Sequence, residues 1–270
     1  MTCPNSFGLS NKSNHFIEIQ KDEDNYIWAM IHSGSRNLGK KVADHYNNIA
    51  KELNHKWYSS VPKKYDLAFL PLDSQEGQDY LNEMQYCADF AFANRSVMMR
   101  RVLRTFQSVL DVKLLCFNSD ELEKPGPDYI DTAEPINIAH NYASLENHYG
   151  KNVVVHRKGA TLAREGTIGI IPGSQGTASY IVRGLGNPES FNSCSHGAGR
   201  KMGRKQAQRS LNLEAEQKRL DDKGIIHSIR NVKDLDEASG AYKDIDVVME
   251  EQKDLVEIVT KLEPIAVIKG

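Results

Sequence analysis

The sequence is poor in cysteine and contains no long apolar run. Its four cysteines are scattered along the chain, at Cys3, Cys87, Cys116 and Cys194. Because no two of them have the spacing of a metal or redox motif, a zinc ribbon or a disulfide scaffold is disfavoured. No apolar stretch approaches the roughly 18 to 20 residues that cross a bilayer, and residues 1–10 lack the pattern of a signal peptide. We therefore expect a cytoplasmic protein without membrane contact, whose cysteines serve mainly as small buried hydrophobes.

The chain also lacks net charge. Lysine and arginine number 34 against 36 aspartates and glutamates, a formal net charge of −2, so the chain as a whole has no basic signature of a nucleic-acid binder. Any contact with nucleic acid must then come from local patches. One candidate patch lies within a predicted helix, at Arg95, Arg100, Arg101 and Arg104. These arginines form either a solvated face, which is the commoner use, or a set of phosphate contacts.

The spacing of apolar residues predicts a mixture of strands and helices. Alternation predicts a hairpin across 15–32, and helical spacing predicts helices over 39–53 and 80–112. The remaining predicted elements are short strands at 153–155, 166–171 and 178–182, a helix over 203–220, a strand at 224–226, a polar loop at 237–244, a helix over 247–262 and a strand at 265–268. Because strands and helices do not alternate regularly, the pattern argues against a doubly wound fold.

Three histidines lie where predicted strands begin or end. His15 opens the first strand, His32 closes the hairpin, and His140 interrupts an apolar approach. Imidazole is the commonest protein ligand for transition metals, and side chains at strand ends can converge from distant parts of a sequence. The three could share a metal site, or each could be a hydrogen-bonded structural histidine.

Two loops have a composition that suits phosphate. The 33–36 segment places small hydroxyl residues and a glycine beside the fixed cation of Arg36. The 172–179 segment follows an apolar strand, and its glycines and hydroxyls occur where a backbone can approach a ligand closely. It lacks the Gly-Lys-Ser/Thr ending of a Walker loop. The alternative interpretation is that this second loop is a simple turn between strands.

A third glycine-rich segment, 195–200, surrounds His196 and is followed by Lys201 and Arg204. We expect this segment to open a helix. A histidine at a glycine-rich helix start, near basic residues, is suited to act on a phosphate as a nucleophile or as an acid/base catalyst. Metal ligation is the competing use.

Taken together, these motifs resemble the RtcB family of RNA ligases. The segments that carry the resemblance are Asn14 to Glu18, His32 to Arg36, His140-Asn141, Pro172 to Ser174, Gly176 to Tyr180, His196 to Arg200 and Ala266 to Gly270. They occur in the family's order, from about residue 8 to the last residue. The resemblance implies an RtcB-like α+β fold over residues 1–270, a single catalytic domain with mixed and antiparallel β-sheets at its core, helices at its flanks and its N-terminal portion missing.

The resemblance also implies an activity and its cofactors. Family members join an RNA 2′,3′-cyclic phosphate or 3′-phosphate end to a 5′-hydroxyl end, in tRNA splicing or RNA repair, and use GTP and manganese. His196 is similar to the catalytic histidine that becomes guanylylated. His32 and His140 resemble ligands of one manganese ion, and His15 resembles a ligand of a second. Arg36 resembles a phosphate contact. The residues that resemble the GTP-binding set are Asn14, Phe16, Glu18, His140, Asn141, Pro172, Gly173, Ser174, Gln175, Ser179, His196, Gly197, Ala198, Gly199, Tyr242 and Lys269.

One part of the family pattern is not found in this sequence. Family members carry, before the Asn-His motif, an Asp-Val-Gly-Cys-Gly segment whose aspartate and cysteine also bind the metals, and Cys3 has no neighbouring aspartate. Three neutral imidazoles alone predict weak or single-metal binding. Three explanations stay open: a truncated gene product, a fragment completed by a separate N-terminal piece, or a diverged protein that binds GTP or RNA without ligating. A metal-dependent phosphoesterase is a further alternative.

Overall fold

The computed structural model describes residues 15–59, 61–65, 67–110, 113–115, 129–131 and 135–269. Asn14, which the sequence predicts to contact GTP, lies outside these residues, as do Cys3 and Cys116. Cys87 and Cys194 are buried free thiols, so the prediction that they act as small hydrophobes is confirmed. No helix in the described part of the chain is long and apolar enough to cross a membrane.

The described residues form strands and helices in a mixed order. The strands are β1 (Phe16–Lys21), β2 (Ile27–His32), β3 (Lys113–Leu115), β4 (Tyr129–Asp131), β5 (Asn141–His148), β6 (Lys151–Lys158), β7 (Ala160–Leu162), β8 (Ile168–Ile171), β9 (Ser179–Gly184), β10 (Ser193–Ser195), β11 (Ile226–His227) and β12 (Val256–Lys269). The α-helices are α1 (Asn37–Lys56), α2 (Gln75–Leu110), α3 (Arg204–Ser210), α4 (Leu213–Asp221) and α5 (Ile245–Glu250). Short 3-10 helices cover Lys63–Tyr65, Pro188–Ser190, Val232–Glu237 and Ser239–Ala241.

Six strands form the main sheet, in the order β2-β1-β12-β9-β8, with β11 beside β12. Its neighbours are antiparallel except β11 and β12, which are parallel. The β1–β2 pair matches the hairpin predicted across 15–32, and Phe16 faces His32 in it. Two-stranded pairs β3–β4, β5–β6 and β7–β10 complete the described sheets. The predicted α+β fold, with mixed and antiparallel sheets and flanking helices, is confirmed; a single domain over 1–270 stays a prediction.

The last strand shows that one sequence prediction is wrong. The sequence predicts a helix over 247–262, but α5 ends at Glu250 and a long strand, β12, follows. β12 lies between β1 and β9 and pairs with both, along different parts of its length. Pairing buries Val256, Leu262 and Val267. The apparent helical spacing is therefore outweighed by strand pairing, which depends on residues distant in the sequence.

The helix predicted over 203–220 is two helices. α3 ends at Ser210, and the chain is extended at Leu211 and Asn212. The Asn212 side chain accepts a hydrogen bond from the backbone N–H of Ala215 at 2.9 Å and so caps a new helix.

Two neighbouring predictions also change. The strand predicted at 224–226 overlaps β11 (Ile226–His227) only at Ile226. Gly224 still belongs to the end of α4, because it has a left-handed φ of 68° and its N–H donates to the carbonyl of Asp221. The polar loop predicted at 237–244 contains the end of one 3-10 helix and the whole of another. A capping box between Asn231 and Asp234 starts the first of them.

Helix α2 holds two loops in place. Its Arg95 donates from Nη1 to the carbonyl of Ser33 at 3.0 Å and from Nε to Asn137 Oδ1 at 2.6 Å. Asn94 donates to Ser33 Oγ and to the carbonyl of Gly34, both at 3.1 Å. One turn of α2 thus holds both the loop after β2 and the segment before β5. Arg95 connects the two by hydrogen bonds and is not part of a solvated face.

A buried ion pair joins the β5–β6 hairpin to the segment that leads into β10. Glu146 Oε2 accepts from Arg157 Nη2 at 3.1 Å and contacts His148 Nε2 at 2.9 Å. The hydrogen bonds from Arg157 are the main cause that lowers the pKa of Glu146 to about 2. Arg157 also donates to the carbonyl of Phe191 at 2.9 Å and to Ser193 Oγ at 3.0 Å. The pair therefore fixes β10 relative to β5 and β6.

Candidate functional site

A cavity of about 230 Å³ opens where β1 begins and where β2 and β12 end. Its walls also include the loops that follow β8 and β10. The lining residues are Phe16, Glu18, His32, Pro172, Gly173, Ser174, Gln175, His196, Gly197, Ala198, Gly199, Arg200, Arg204, Glu237, Tyr242 and Lys269. Apart from His32, Arg200, Arg204 and Glu237, all of them belong to the set that the sequence predicts to contact GTP.

Three predicted site histidines form a row beside this cavity. His32 ends β2, His140 directly precedes β5, and His196 directly follows β10. The ring centroids of His32 and His140 are 5.2 Å apart, and those of His140 and His196 are also 5.2 Å apart. Histidines from three distant segments are thus brought together. The row contains His32 and His140 of the three histidines predicted to share a metal site, and His196 in place of His15.

Burial keeps these imidazoles neutral. Burial lowers the pKa of His32 to about 3, and His140 and His196 act in the same direction. Burial likewise lowers the pKa of His140 to about 4, again with His196 contributing. At neutral pH both rings are therefore uncharged and have a lone pair available for a ligand.

His15 and His196 each have a buried nitrogen that lacks a hydrogen-bond partner among the described residues. In both side chains this atom is Nδ1. Burial lowers the pKa of His15 and the charge on Arg36 adds to this, whereas a backbone hydrogen bond at His32 opposes it. Burial lowers the pKa of His196, and a backbone hydrogen bond at Gly159 opposes it. Both rings are neutral donors of an electron pair at neutral pH.

The donor chemistry of these histidines suits a transition metal, whose ligands are commonly neutral imidazoles. Within the described ranges, however, no group of three or more His, Cys, Asp or Glu side chains is arranged to hold a metal ion. The ligand roles of His15, His32 and His140 therefore stay predictions.

The loop after β8 is a tight turn that glycine makes feasible. A Cβ on Gly173 would overlap the carbonyl oxygen of Ala178. The backbone N–H of Ser174 donates to Thr177 Oγ1 at 2.7 Å, and Thr177 N–H donates back to the Ser174 carbonyl at 3.2 Å. The segment predicted as either a phosphate loop or a simple turn is thus a turn closed by its own hydrogen bonds, and it forms part of the cavity wall.

This turn is joined to the segment that contains His196. The N–H of Ala198 donates to the carbonyl of Pro172 at 2.9 Å. A Cβ on Gly197 would lie 3.0 Å from the same carbonyl, so a small residue is needed for this approach. The two glycine-rich loops of the sequence therefore form one continuous wall.

His196 does not lie at a helix start, contrary to the sequence prediction. It follows β10, and the next helix begins only at Arg204. The intervening chain bends at 196–198 and again at 201–202, and Gly199 has a left-handed φ of 70°. It is held by Lys243 N–H, which donates to the Gly199 carbonyl at 2.9 Å, and by a β-bridge between Arg200 and Tyr242. Pairing with a distant segment replaces the expected helical turn.

The floor of the cavity contains a buried carboxyl group. Glu18 is only 3% exposed, and burial raises its pKa to about 8, with a hydrogen bond from Gln20 opposing the shift. Gln20 donates to Glu18 Oε1 at 3.2 Å and to Ser179 Oγ at 3.0 Å. Ser179 Oγ also accepts from the N–H of Gly173 at 3.2 Å. β1 thus buries Glu18 and Gln20, polar residues that its apolar alternation would leave on the outer face.

Some predicted residues do not line the cavity. Ser179 is 1% exposed and lies behind the turn that it supports. His140 stands beside the cavity in the row of histidines, and Asn141 is exposed at the start of β5, opposite Lys158. Arg36 comes just before α1 with a left-handed φ of 60° and acts electrostatically on His15. Their predicted GTP and phosphate contacts stay predictions.

Sequence reasoning missed three lining residues. From the sequence, Arg200 and Arg204 are only basic neighbours of His196, and Glu237 falls in a segment predicted to be a loop. Both arginines pair with Glu237, at 3.0 Å and 2.9 Å. Basic residues after a glycine-rich loop could have indicated the arginines. No local signal marks Glu237, because its partners are distant in the sequence.

Comparison with known proteins gives a consistent result. Residues 6–270 match the family model described as tRNA-splicing ligase RtcB. The chain is 38% identical over 263 residues to RNA-splicing ligase RtcB of Escherichia coli K12, an alignment that covers 97% of this chain and 61% of the relative. It is 33% identical over 299 residues to tRNA-splicing ligase RtcB of Thermococcus kodakarensis, covering 97% of this chain and 59% of that protein. The chain spans about three fifths of the length of these curated relatives.

Proposed function

The chain belongs to the RtcB family, and from that premise we propose that it is a GTP-dependent RNA ligase. Its substrates would be an RNA 2′,3′-cyclic phosphate or 3′-phosphate end and a 5′-hydroxyl end, as in tRNA splicing or RNA repair. The cavity carries the proposal, because segments far apart in the chain bring most of the predicted GTP-contacting residues onto its wall. Relatives named RNA-splicing and tRNA-splicing ligases support the same class of reaction.

His196 is the group that we assign to covalent catalysis. Burial lowers its pKa, so that the imidazole is neutral near pH 7 and can act as a nucleophile. In the first step a ring nitrogen attacks the α-phosphorus of GTP. The bond from that phosphorus to the bridging oxygen breaks, pyrophosphate leaves, and GMP is held on the histidine by a P–N bond.

Two transfers follow. An oxygen of the RNA 3′-phosphate attacks the phosphorus held by His196, which breaks the P–N bond and frees the imidazole. The 5′-hydroxyl oxygen of the second RNA then attacks the activated 3′-phosphorus; it loses its proton, and GMP leaves. A 2′,3′-cyclic end enters this sequence after one water opens it to a 3′-phosphate.

The other walls of the cavity suit a nucleotide. Glycines at 173, 197 and 199 allow close approach of the backbone to phosphate oxygens. Arg200 and Arg204 supply positive charge for the phosphates. The buried Glu18 carboxyl offers hydrogen bonds to the polar edge of a base.

His15, His32 and His140 are the side chains that would hold manganese. Their neutral imidazoles fit a metal of this kind, as does His15 Nδ1, which has no hydrogen-bond partner in the described part of the chain. Bound manganese would neutralise the charge on the phosphate oxygens during transfer. We further propose that a polypeptide corresponding to the family's N-terminal part can complete the ligand set in trans.

The experiment is to incubate the chain with α-labelled GTP and Mn²⁺ and to follow the label on the protein. The wild-type chain should become labelled, and His196→Ala should not. His227→Ala is the matched control, because His227 pairs with Asp221 outside the cavity and should leave labelling unchanged. Mapping the label to His196 and then joining a 3′-phosphate RNA to a 5′-hydroxyl RNA would support the whole sequence.

The contrary results are equally specific. If the wild-type chain stays unlabelled where full-length E. coli RtcB is labelled, it is not a ligase by itself. Labelling that appears only after addition of the family's N-terminal part would support completion in trans. Saturable GTP or RNA binding without label or ligation would favour a nucleotide-binding protein instead.

A further inference from the structure

One buried carboxylate holds three of the side chains that line the cavity. The Glu237 side chain is only 5% exposed, and its Oε1 accepts a hydrogen bond from Arg204 Nε at 2.9 Å. Its Oε2 lies 3.0 Å from Arg200 Nη1 and accepts a hydrogen bond from the Tyr242 hydroxyl. Two arginines and a tyrosine therefore share the two oxygens of one side chain.

The backbone around Glu237 extends this arrangement. Its carbonyl accepts from Gln175 Nε2 at 3.1 Å. The carbonyl of the preceding residue, Asp236, accepts from Arg200 Nη2, and the Asp236 carboxylate accepts from Lys269 Nζ. The end of one short 3-10 helix thus contacts cavity residues from three separate segments.

These contacts fix the cations of the cavity wall. The carboxylates of Glu237 and Asp236 hold three of them, Arg200, Arg204 and Lys269. Burial raises the pKa of Tyr242, and the neighbouring Glu237 carboxylate adds to this, so that the phenol stays a hydrogen-bond donor. The guanidinium of Arg200 also lies over the Tyr242 ring, 5.0 Å from its centroid. The side chains of this wall therefore have defined directions.

We propose that Glu237 is a positioning residue for the nucleotide site, whose carboxylate fixes both arginines and the tyrosine in the directions that GTP requires. It acts through these side chains and makes no contact with the reacting atoms. The inference rests on the proposed function, because it takes the ligand of the cavity to be GTP.

A merely structural carboxylate would behave differently. Its removal would lower the free energy of unfolding but would leave the GTP affinity of the folded protein unchanged. A positioning carboxylate controls the order of Arg204 and the affinity for GTP under conditions where all of the protein is folded. The two roles are therefore separated by measurements well below the unfolding temperature.

The test compares the wild-type chain with Glu237→Gln, which keeps the shape but loses the charge, and Glu237→Asp, which keeps the charge on a shorter stem. Two quantities are measured: the exchange rate of the Arg204 Nε–H by NMR in ligand-free protein, and the Kd for GTP with Mn²⁺. Glu214→Gln is the matched control, since Glu214 is an exposed acid in the first turn of α4.

We expect Glu237→Gln to speed exchange of the Arg204 Nε–H and to weaken GTP binding by about tenfold to a hundredfold, the range for loss of a hydrogen bond to a charged group. Glu237→Asp should recover part of both effects, because an anionic acceptor is retained. Glu214→Gln should match the wild type in both measurements.

Unchanged exchange of the Arg204 Nε–H in Glu237→Gln would overturn the proposal, and this result needs no nucleotide. Faster exchange with an unchanged Kd would overturn it as well, because the order of the arginine would then not matter for binding. A wild-type chain that fails to bind GTP would contradict the proposed function instead. In that case the Kd for inorganic triphosphate replaces that for GTP in the same comparison.

Discussion

The imidazole of His140 stacks on that of His196, with 5.2 Å between the ring centroids and 24° between the ring planes. β5 starts directly after His140, and β10 ends directly before His196. The Glu146–Arg157 pair connects these two strands through the hydrogen bonds of Arg157. A buried ion pair outside the cavity thus supports the spacing of two histidines at its edge.

Glu146→Gln should destabilise the protein in a pH-dependent way. The pKa of Glu146 is lowered to about 2 in the folded state, from 4.5, so its stabilising effect is present above about pH 4.5 and is lost as the pH falls towards 2. Leaving Arg157 buried without its carboxylate should cost about 3–5 kcal/mol at pH 7. Urea unfolding at several pH values measures this, with the exposed Glu52→Gln as control. A difference from wild type that does not shrink on acidification would contradict the prediction.

Arg95→Met should loosen the loop after β2 and the segment before His140 together. The change removes hydrogen bonds to Ser33 and Asn137, and we expect a loss of about 1.5–3 kcal/mol in the free energy of unfolding. Arg100→Met on the exposed side of the same helix should change it by less than about 0.5 kcal/mol. If chemical denaturation gave the same loss of unfolding free energy for both substitutions, the hydrogen bonds of Arg95 to Ser33 and Asn137 would not contribute to stability.

Gly173→Ala should damage the turn after β8. The added methyl group would meet the Ala178 carbonyl, so the turn must open and the cavity wall must shift. We expect GTP binding to weaken by about tenfold or more. Gly203→Ala is the control, because among the described residues other than its chain neighbours no atom lies within 4 Å of a Cβ built at Gly203, and its φ of −68° suits any residue. Calorimetric titration with GTP would contradict the prediction if the two variants bound equally.

Glu18→Gln should stabilise the protein increasingly as the pH rises. Burial raises the pKa of Glu18 to about 8, above its ordinary 4.5, so the folded state binds a proton that the unfolded state releases. Wild-type stability therefore falls as the pH rises through this window, and a neutral amide avoids the loss. In thermal unfolding at pH 5, 6.5 and 8, the unfolding temperature of Glu18→Gln relative to wild type should increase with pH. Glu23 is an exposed acid in the β1–β2 turn, and Glu23→Gln should show no such increase. A constant difference across the three values would refute the shift.

Local patterns were sufficient for much of the fold. Alternating residues around a polar turn predict the β1–β2 hairpin, and helical spacing of apolar residues predicts the core of α1. The same spacing, over a stretch without proline or glycine, predicts most of α2. Such elements are determined mainly by neighbours in the sequence. Residues 247–262 were predicted wrongly because the strand that they help to form depends on β1 and β9, which no local pattern contains.

The site was predictable where chemistry is concentrated in short motifs. His32, His196 and the glycine-rich segments that begin at Pro172 and Gly197 line one cavity, and His140 lies beside it. Each of these motifs could be recognised because its residues are adjacent in the chain. The helix start expected at His196 is wrong, because Arg200 pairs with Tyr242 from a distant segment and the next helix begins only at Arg204.

By itself, then, the sequence predicted which residues carry the chemistry, namely His196, the other histidines and the glycine-rich turns. Only the tertiary structure decided what holds them in place. Glu237 gathers Arg200 and Arg204, and the Glu146–Arg157 pair supports the segments beside His140 and His196. The reason is physical: a buried charge is stable only with partners, and those partners come from parts of the chain that fold together only in three dimensions.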